Sequence, residues 1–106
     1  MAKRRPDTSI EEESGVREQT RLEEPKLYRV LLHNDHYTTM DFVVKVITSV
    51  FRKPVPEATK IMLDVHKKGR GTVGVYPYDI ALTKISQVHE MARQSEFPLK
   101  ASCEEA

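Results

Sequence analysis

The chain has 106 residues and a mass of 12.2 kDa, which allows one domain around a single hydrophobic core and excludes a second independent core. Hydrophobic residues make up 39% of the chain, and no apolar run is long enough to cross a bilayer, so we expect no membrane contact. With 17 basic and 16 acidic residues the formal net charge is +1, which excludes a general electrostatic footprint for nucleic acid.

The single cysteine, Cys103, excludes an internal disulfide bond and favours a reducing compartment. We expect it to be a small apolar side chain on a strand rather than a nucleophile. The basic start of the chain is followed by acidic and polar residues, where a signal peptide would need an apolar segment. A cytoplasmic protein is therefore expected.

Residues 1–25 are predicted to form a disordered N-terminal extension, because their charged clusters and isolated apolar residues have no helical or strand period. The folded domain is predicted to span residues 26–106. It begins with a strand in which Tyr28, Val30 and Leu32 occupy alternate positions. The polar turn formers of residues 34–38 end that strand.

Two helices are predicted after this turn. Thr38 or Thr39 can cap the first helix. Its apolar residues recur at helical spacing: Met40, Val43, Val44, Ile47, Val50 and Phe51. Pro56 suits the start of the second helix, and Gly69 suits its end. The apolar stripe of the second helix is Ala58, Ile61, Met62 and Val65.

A strand, a helix and a strand complete the predicted domain. Residues 70–76 are predicted to form a short strand with bulges near Gly71 and Gly74. The third helix has Asp79 in its first turn and the apolar stripe Ala81, Ile85, Val88 and Ala92. The last strand begins at Leu99. The order βααβαβ predicts an α+β fold, a single compact domain with a small antiparallel-type three-stranded sheet covered by three helices.

The segment from His33 to His36, together with His66, holds most of the groups that could carry chemistry. In the simplest interpretation, Asn34 and Asp35 form the turn and the histidines face solvent. In a second interpretation, His33, His36, His66 and Asp35 are metal ligands, although no paired His or Cys motif is present. A metal-binding protein therefore remains an alternative.

An enzyme would need a nucleophile and an oxyanion site, and no signature in the sequence supplies them. The third interpretation is therefore a recognition pocket. His66 follows Met62 by one helical turn, so a polar group lies at the edge of an apolar helix face. If the turn approaches that edge, Asn34 and Asp35 could accept hydrogen bonds from an α-amino group. The neighbouring apolar side chain would then fit among Met40, Val43, Met62 and Val65.

Four segments of the chain together resemble the ClpS family: YRVLLHND at 28–35, YTTMDFV at 37–43, MLDVH at 62–66 and GVY at 74–76. Members of this family are bacterial adaptors that present proteins with destabilising N-terminal residues to the ATP-dependent Clp protease through its unfoldase, ClpA. The resemblance covers about Lys26 to the C-terminus. It implies a βααβαβ domain, a monomer, and a pocket for an N-terminal Leu, Phe, Tyr or Trp. No cofactor is expected.

The resemblance also implies roles for individual residues. Asn34, Asp35 and His66 match the polar residues around the α-amino group. The matches to the pocket wall are Thr38, Met40, Val43, Met62, Val65 and Leu99. Met40 is expected to exclude β-branched side chains. Asp79 and Lys84 match positions that contact the N-terminal domain of the unfoldase, and the residues before Lys26 match the mobile extension that it engages.

Two positions depart from the family pattern. His36 stands where the family usually has a second acidic residue, so the affinity for an amine or its pH dependence is expected to differ. Thr39 replaces a usual proline but can still begin a helix. A purely structural interaction domain is the remaining alternative, because the α+β shape also resembles the C-terminal domain of the ribosomal stalk protein.

Overall fold

The computed structural model describes residues 24–106, and the predicted disorder of the N-terminal extension lies outside these residues. Six elements follow one another: β1 Leu27–His33, α1 Met40–Val50, α2 Val55–Lys68, β2 Arg70–Pro77, α3 Tyr78–Gln94 and β3 Lys100–Glu105. The predicted βααβαβ order is confirmed.

The three strands form one antiparallel sheet with β1 in the centre, in the order β2-β1-β3. Val30 and Leu32 of β1 are fully buried in a core to which all three helices contribute. The α+β fold with helices covering the sheet is therefore confirmed. The period-two alternation correctly predicted that Val30 and Leu32 enter this core, although Leu31 on the opposite face is also buried.

A bulge interrupts the pairing of β1 with β2. Val30 pairs with Gly74 and Leu31 pairs with Thr72, which leaves Val73 as the extra residue of β2. Val73 is 1% exposed and belongs to the core. The bulge predicted from the glycines of this strand is confirmed. Position 74 needs a glycine, because the ring of Tyr76 lies where the Cβ of any other residue would be.

The structure shows which of the two candidate threonines caps α1. Thr39, and not Thr38, is the N-cap, and its hydroxyl accepts a hydrogen bond from the Phe42 N–H at 3.1 Å. The predicted stripe is only partly right, because Met40 is 42% exposed whereas Phe42 and Val46 are buried. A helix with apolar residues on most of its circumference does not reveal by period alone which of them face the core.

The end of α2 follows the prediction closely. Gly69 is the C-cap with a φ of 89°, a left-handed conformation that strains any residue with a Cβ. The start of α2 at Val55 lies one residue before the predicted Pro56.

The remaining elements also agree with the predictions. In α3, Ala81, Val88 and Ala92 are buried and Ile85 is partly buried. β3 begins at Lys100, one residue after the predicted Leu99. Cys103 packs on β3 against the core, as expected from its small apolar side chain. None of the helices within residues 24–106 has the length and hydropathy that a membrane span requires.

Candidate functional site

A main-chain hydrogen bond brings the turn after β1 to the end of α2. The Asn34 N–H donates to the Gly69 carbonyl at 2.8 Å. His66 lies in the last turn of α2, just before Gly69. The approach of the turn to this helix edge, on which the recognition-pocket interpretation depended, is therefore present.

Asp35 holds the turn in shape. Its Oδ1 accepts hydrogen bonds from the N–H groups of Tyr37 at 2.8 Å and Thr38 at 2.7 Å, and its Oδ2 accepts one from the Thr38 hydroxyl at 2.7 Å. Partial burial raises the pKa of Asp35, but the hydrogen bonds from Thr38 and Tyr37, together with the charge on His36, outweigh burial and hold this pKa below its ordinary value. The carboxylate is therefore ionised near neutral pH, and its strongest partners belong to its own turn.

A cavity of about 410 Å³ opens between this turn, the start of α1 and the end of α2. Val43, Met62 and Val65 form its buried apolar wall. The complete lining is Asn34, Asp35, His36, Tyr37, Thr38, Thr39, Met40, Val43, Met62, Val65 and His66. One side of the cavity is therefore apolar and the other carries polar groups.

Asn34 and His66 are among the polar side chains of the lining that are open to a ligand. Both residues are exposed, and neither side chain makes a hydrogen bond with another residue of 24–106. An amide and a neutral imidazole can each donate and accept a hydrogen bond. The mouth of the cavity can therefore bind a ligand that carries several donors.

Close packing of α2 against β2 determines where the apolar wall of the cavity lies. A Cβ on Gly71 would lie 2.9 Å from the Val65 Cγ2 and 3.4 Å from the Val65 nitrogen. The helix can approach this far only because position 71 has no side chain. Gly71 therefore determines how near Val65 and the neighbouring His66 lie to the sheet.

The structure brings together most of the residues matched to the family pocket. Eight of them line the cavity: Asn34, Asp35, Thr38, Met40, Val43, Met62, Val65 and His66. Leu99 is not part of the lining and is 3% exposed within the core. Asp79 and Lys84 do not line the cavity either. Asp79 is exposed in the first turn of α3, whereas the half-buried Lys84 donates from Nζ to the Val50 carbonyl at 2.9 Å.

Three further residues line the cavity without having been assigned to it from the sequence. They are His36, Tyr37 and Thr39, all within the segment between β1 and α1. Their position in the chain was the available signal, because the segment is short and its neighbours on both sides were already assigned to the pocket.

Within residues 24–106, no three His, Cys, Asp or Glu side chains come together in a way that could hold a metal ion. The His33 ring is held at β3, with its Nε2 2.6 Å from the Ser102 Oγ, and it does not line the cavity that holds Asp35, His36 and His66. The four proposed metal ligands are therefore not gathered at one point.

Comparison with known proteins identifies the family. The model of a family described as "ATP-dependent Clp protease adaptor protein ClpS" matches residues 23–102. The chain belongs to the ClpS family. The resemblance deduced from the sequence motifs is thereby confirmed, and this ClpS chain is an adaptor of the ATP-dependent Clp protease.

Relatives extend the match over most of the chain. A ClpS adapter protein of Syntrophus aciditrophicus is 57% identical over 97 residues, which cover 92% of this chain and 91% of the relative. One from Acetivibrio thermocellus is 53% identical over 97 residues, covering 90% of this chain and 98% of the relative. The solved structure of Agrobacterium tumefaciens ClpS2 bound to L-phenylalaninamide has a TM-score of 0.76 and 36% identity, and the match covers 78% of this chain and 100% of that one.

Proposed function

We propose that this ClpS chain captures proteins that begin with Leu, Phe, Tyr or Trp and delivers them to the N-terminal domain of a ClpA-type unfoldase. It acts as a cytoplasmic, monomeric adaptor without catalytic activity of its own. The observation that carries the proposal is a cavity with one apolar wall whose mouth holds Asn34 and His66, two side chains that make no hydrogen bond with other residues of 24–106.

The apolar wall suits the first side chain of a captured protein. A cavity of about 410 Å³ lies within the usual range for small-molecule sites. Burial of a Leu or Phe side chain against Val43, Met62 and Val65 contributes about 1.5–3 kcal/mol. The ligand of the Agrobacterium relative supports this assignment. L-phenylalaninamide has a free α-amino group, an aromatic side chain and a carboxamide that stands for the first peptide bond of a chain.

The polar groups suit the α-amino group. Asn34 and a neutral His66 can each accept a hydrogen bond from an ammonium group, and the nearby Asp35 carboxylate adds a favourable charge. Each hydrogen bond to a charged group contributes about 1.5–3 kcal/mol. Together with the buried side chain, two such bonds contribute about 4.5–9 kcal/mol before ordering costs, so the net affinity is no tighter than about micromolar. An adaptor that must release its substrate needs an affinity of this order.

The capture step is tested with a labelled peptide that begins with Leu and its N-acetylated copy, measured by fluorescence anisotropy. Acetylation removes the cation and leaves Asn34 and His66 without their donor, so we expect the affinity to fall at least about ten-fold. Equal affinities of the two peptides would contradict the proposal.

The delivery step is assigned to Asp79 and Lys84, which match the unfoldase-contact positions of the family. Asp79 is the sharper probe, because it is exposed while Lys84 already bonds to the end of α1. In an assay of reporter degradation by ClpA and its protease, Asp79→Lys should slow the degradation of a reporter beginning with Leu and leave peptide binding unchanged. Glu96→Lys, an equal charge change at an exposed position just beyond the other end of α3, is the control. Equal degradation rates in both variants would exclude Asp79 from the contact.

A further inference from the structure

Two histidines line the cavity from two different elements. His36 belongs to the turn after β1, and His66 lies in the last turn of α2. Both residues are exposed, and neither side chain makes a hydrogen bond with another residue of 24–106. The proposed capture of an α-amino group uses His66 as an acceptor but gives no role to His36. An imidazole is the side chain whose charge ordinarily changes between about pH 5 and pH 8.

The other titratable residues of the lining are Asp35 and Tyr37. Hydrogen bonds within the turn outweigh partial burial and hold the pKa of Asp35 below its ordinary value, so its carboxylate stays ionised between about pH 5 and pH 8. The charge on His36 contributes to this lowering, which shows that the two groups act on one another. A phenol is neutral over the same range. The lining residues of α1 are Thr39, Met40 and Val43, none of which titrates.

Several charged residues lie near the two histidines without lining the cavity. Lys100 of β3 and His33 of β1 share a neighbouring cavity with His36. The others are close to the site along the chain: Asp41 of α1, Asp64, Lys67 and Lys68 of α2, and Arg70 of β2. Carboxylates, lysines and arginines ordinarily keep their charge between about pH 5 and pH 8, so they supply a constant background. His33 is the one neighbour of a type that titrates in this range.

The net charge of the lining therefore reverses sign as the pH falls. With both imidazoles neutral, the Asp35 carboxylate gives the lining a charge of −1, and two added protons change this to +1. An α-amino group titrates near 7.7–8.0, so the N-terminus of a captured protein is a cation at neutral and acidic pH. Protonation also removes the lone pair with which His66 can accept a hydrogen bond. Acid thus opposes the same ligand in two ways, through repulsion at both histidines and through loss of an acceptor at His66.

We propose that His36 and His66 make capture depend on pH, so that the site binds a protein N-terminus near neutral pH and releases it as the pH falls towards 5. The inference rests on the proposed capture of N-terminal residues and adds a form of regulation to it. Its basis is the arrangement of two histidines around one cavity with a single carboxylate that does not titrate with them. In this arrangement His36 acts on the bound cation through its charge alone.

The test measures the affinity for a labelled Leu-starting peptide by fluorescence anisotropy at several pH values between about 7.5 and 5, at constant low ionic strength. With the wild-type protein, we expect the affinity to fall about ten-fold or more over this range. His36→Gln should make the fall about two- to five-fold smaller, as for the charge of an exposed residue. The variant with both His36→Gln and His66→Gln should bind more weakly at neutral pH and show almost no further fall.

His33→Gln is the matched control, because it makes the same exchange at a histidine that does not line the cavity. It should keep the full decrease in affinity. Circular dichroism at each pH distinguishes release of the peptide from unfolding of the protein. Failure of every Leu-starting peptide to bind at about pH 7.5 would overturn the capture proposal itself. Binding that does not weaken in acid, or a decrease that His33→Gln reduces as much as His36→Gln, would overturn the role of the two histidines and leave N-terminal capture standing.

Discussion

The N–H of Asn34 donates to the carbonyl of Gly69 at 2.8 Å, and this bond joins the two segments that make the cavity. Because donor and acceptor both belong to the main chain, the Asn34 side chain is not needed to hold the turn against α2. It remains at the mouth of the cavity, where a ligand can reach it.

Asn34→Ala should therefore weaken peptide capture without unfolding the turn. We expect the affinity for a Leu-starting peptide to fall about ten-fold or more, the loss of one hydrogen bond to a charged group. The free energy of unfolding should change by less than about 0.5 kcal/mol. Anisotropy and urea unfolding measure the two effects. Lys67→Ala, beside His66 but outside the lining, should leave both quantities near wild type, and an equal loss of affinity there would point to a general effect on α2.

Met40→Ala should change which first residues are accepted. Met40 is 42% exposed and lines the cavity, so its removal leaves the core intact and opens space beside the Cβ of a bound residue. Peptides that begin with Ile or Val should gain affinity, whereas the Leu peptide should lose about 1 kcal/mol of buried contact. Competition anisotropy with Leu, Ile and Val peptides measures the change. Unchanged selectivity would show that another residue excludes β-branched side chains.

Gly71→Ala should destabilise the fold and the site together. The new Cβ would lie 2.9 Å from the Val65 Cγ2 and 3.4 Å from the Val65 nitrogen, so the Val65 side chain must turn or α2 must move away from β2. We expect a loss of about 1–3 kcal/mol in the free energy of unfolding and weaker peptide binding by the folded protein. Thr72→Ala, an exposed position on the same strand, is the control and should cost less. Similar losses in the two variants would show that α2 accommodates the methyl group.

Asp35→Asn should reveal a pH-dependent contribution to stability. The pKa of Asp35 is lowered from its ordinary value of 3.8, because its hydrogen bonds outweigh the effect of partial burial. A lowered pKa stabilises the fold above the unfolded-state value, and this contribution disappears as the pH falls through the lower folded-state value. The difference in unfolding free energy between wild type and Asp35→Asn should thus be constant from about pH 7 to pH 5 and decrease below about pH 4. Urea unfolding across this range measures it, and a difference that does not decrease would contradict the assignment.

Local signals in the sequence predicted the elements well. Val30 and Leu32 followed strand alternation into the core, and Gly69 ended α2 in the left-handed conformation that glycine favours. The glycines of β2 indicated a bulge, which the structure places at Val73. These features depend on neighbours close in the chain, so a local pattern is enough to predict them.

Other features depended on neighbours far along the chain. The spacing of Met40 suggested a core residue, yet α1 begins beside the cavity and leaves this side chain partly exposed. The short contact that Gly71 allows with Val65 has no signature in either segment alone. A further cavity of about 360 Å³, where residues 33–37 meet Pro98 and Lys100, also had no local signal in the sequence.

By itself, the sequence determined the order of helices and strands, the family, and the candidate residues in two separate segments. Only the tertiary structure decided that these segments meet, through the Asn34 to Gly69 hydrogen bond and the contact of Gly71 with Val65. The physical reason is that periodicity encodes the direction of a side chain relative to its own helix or strand. Which elements pack together, and where they leave a cavity, depends on the shape and volume of residues distant in the chain.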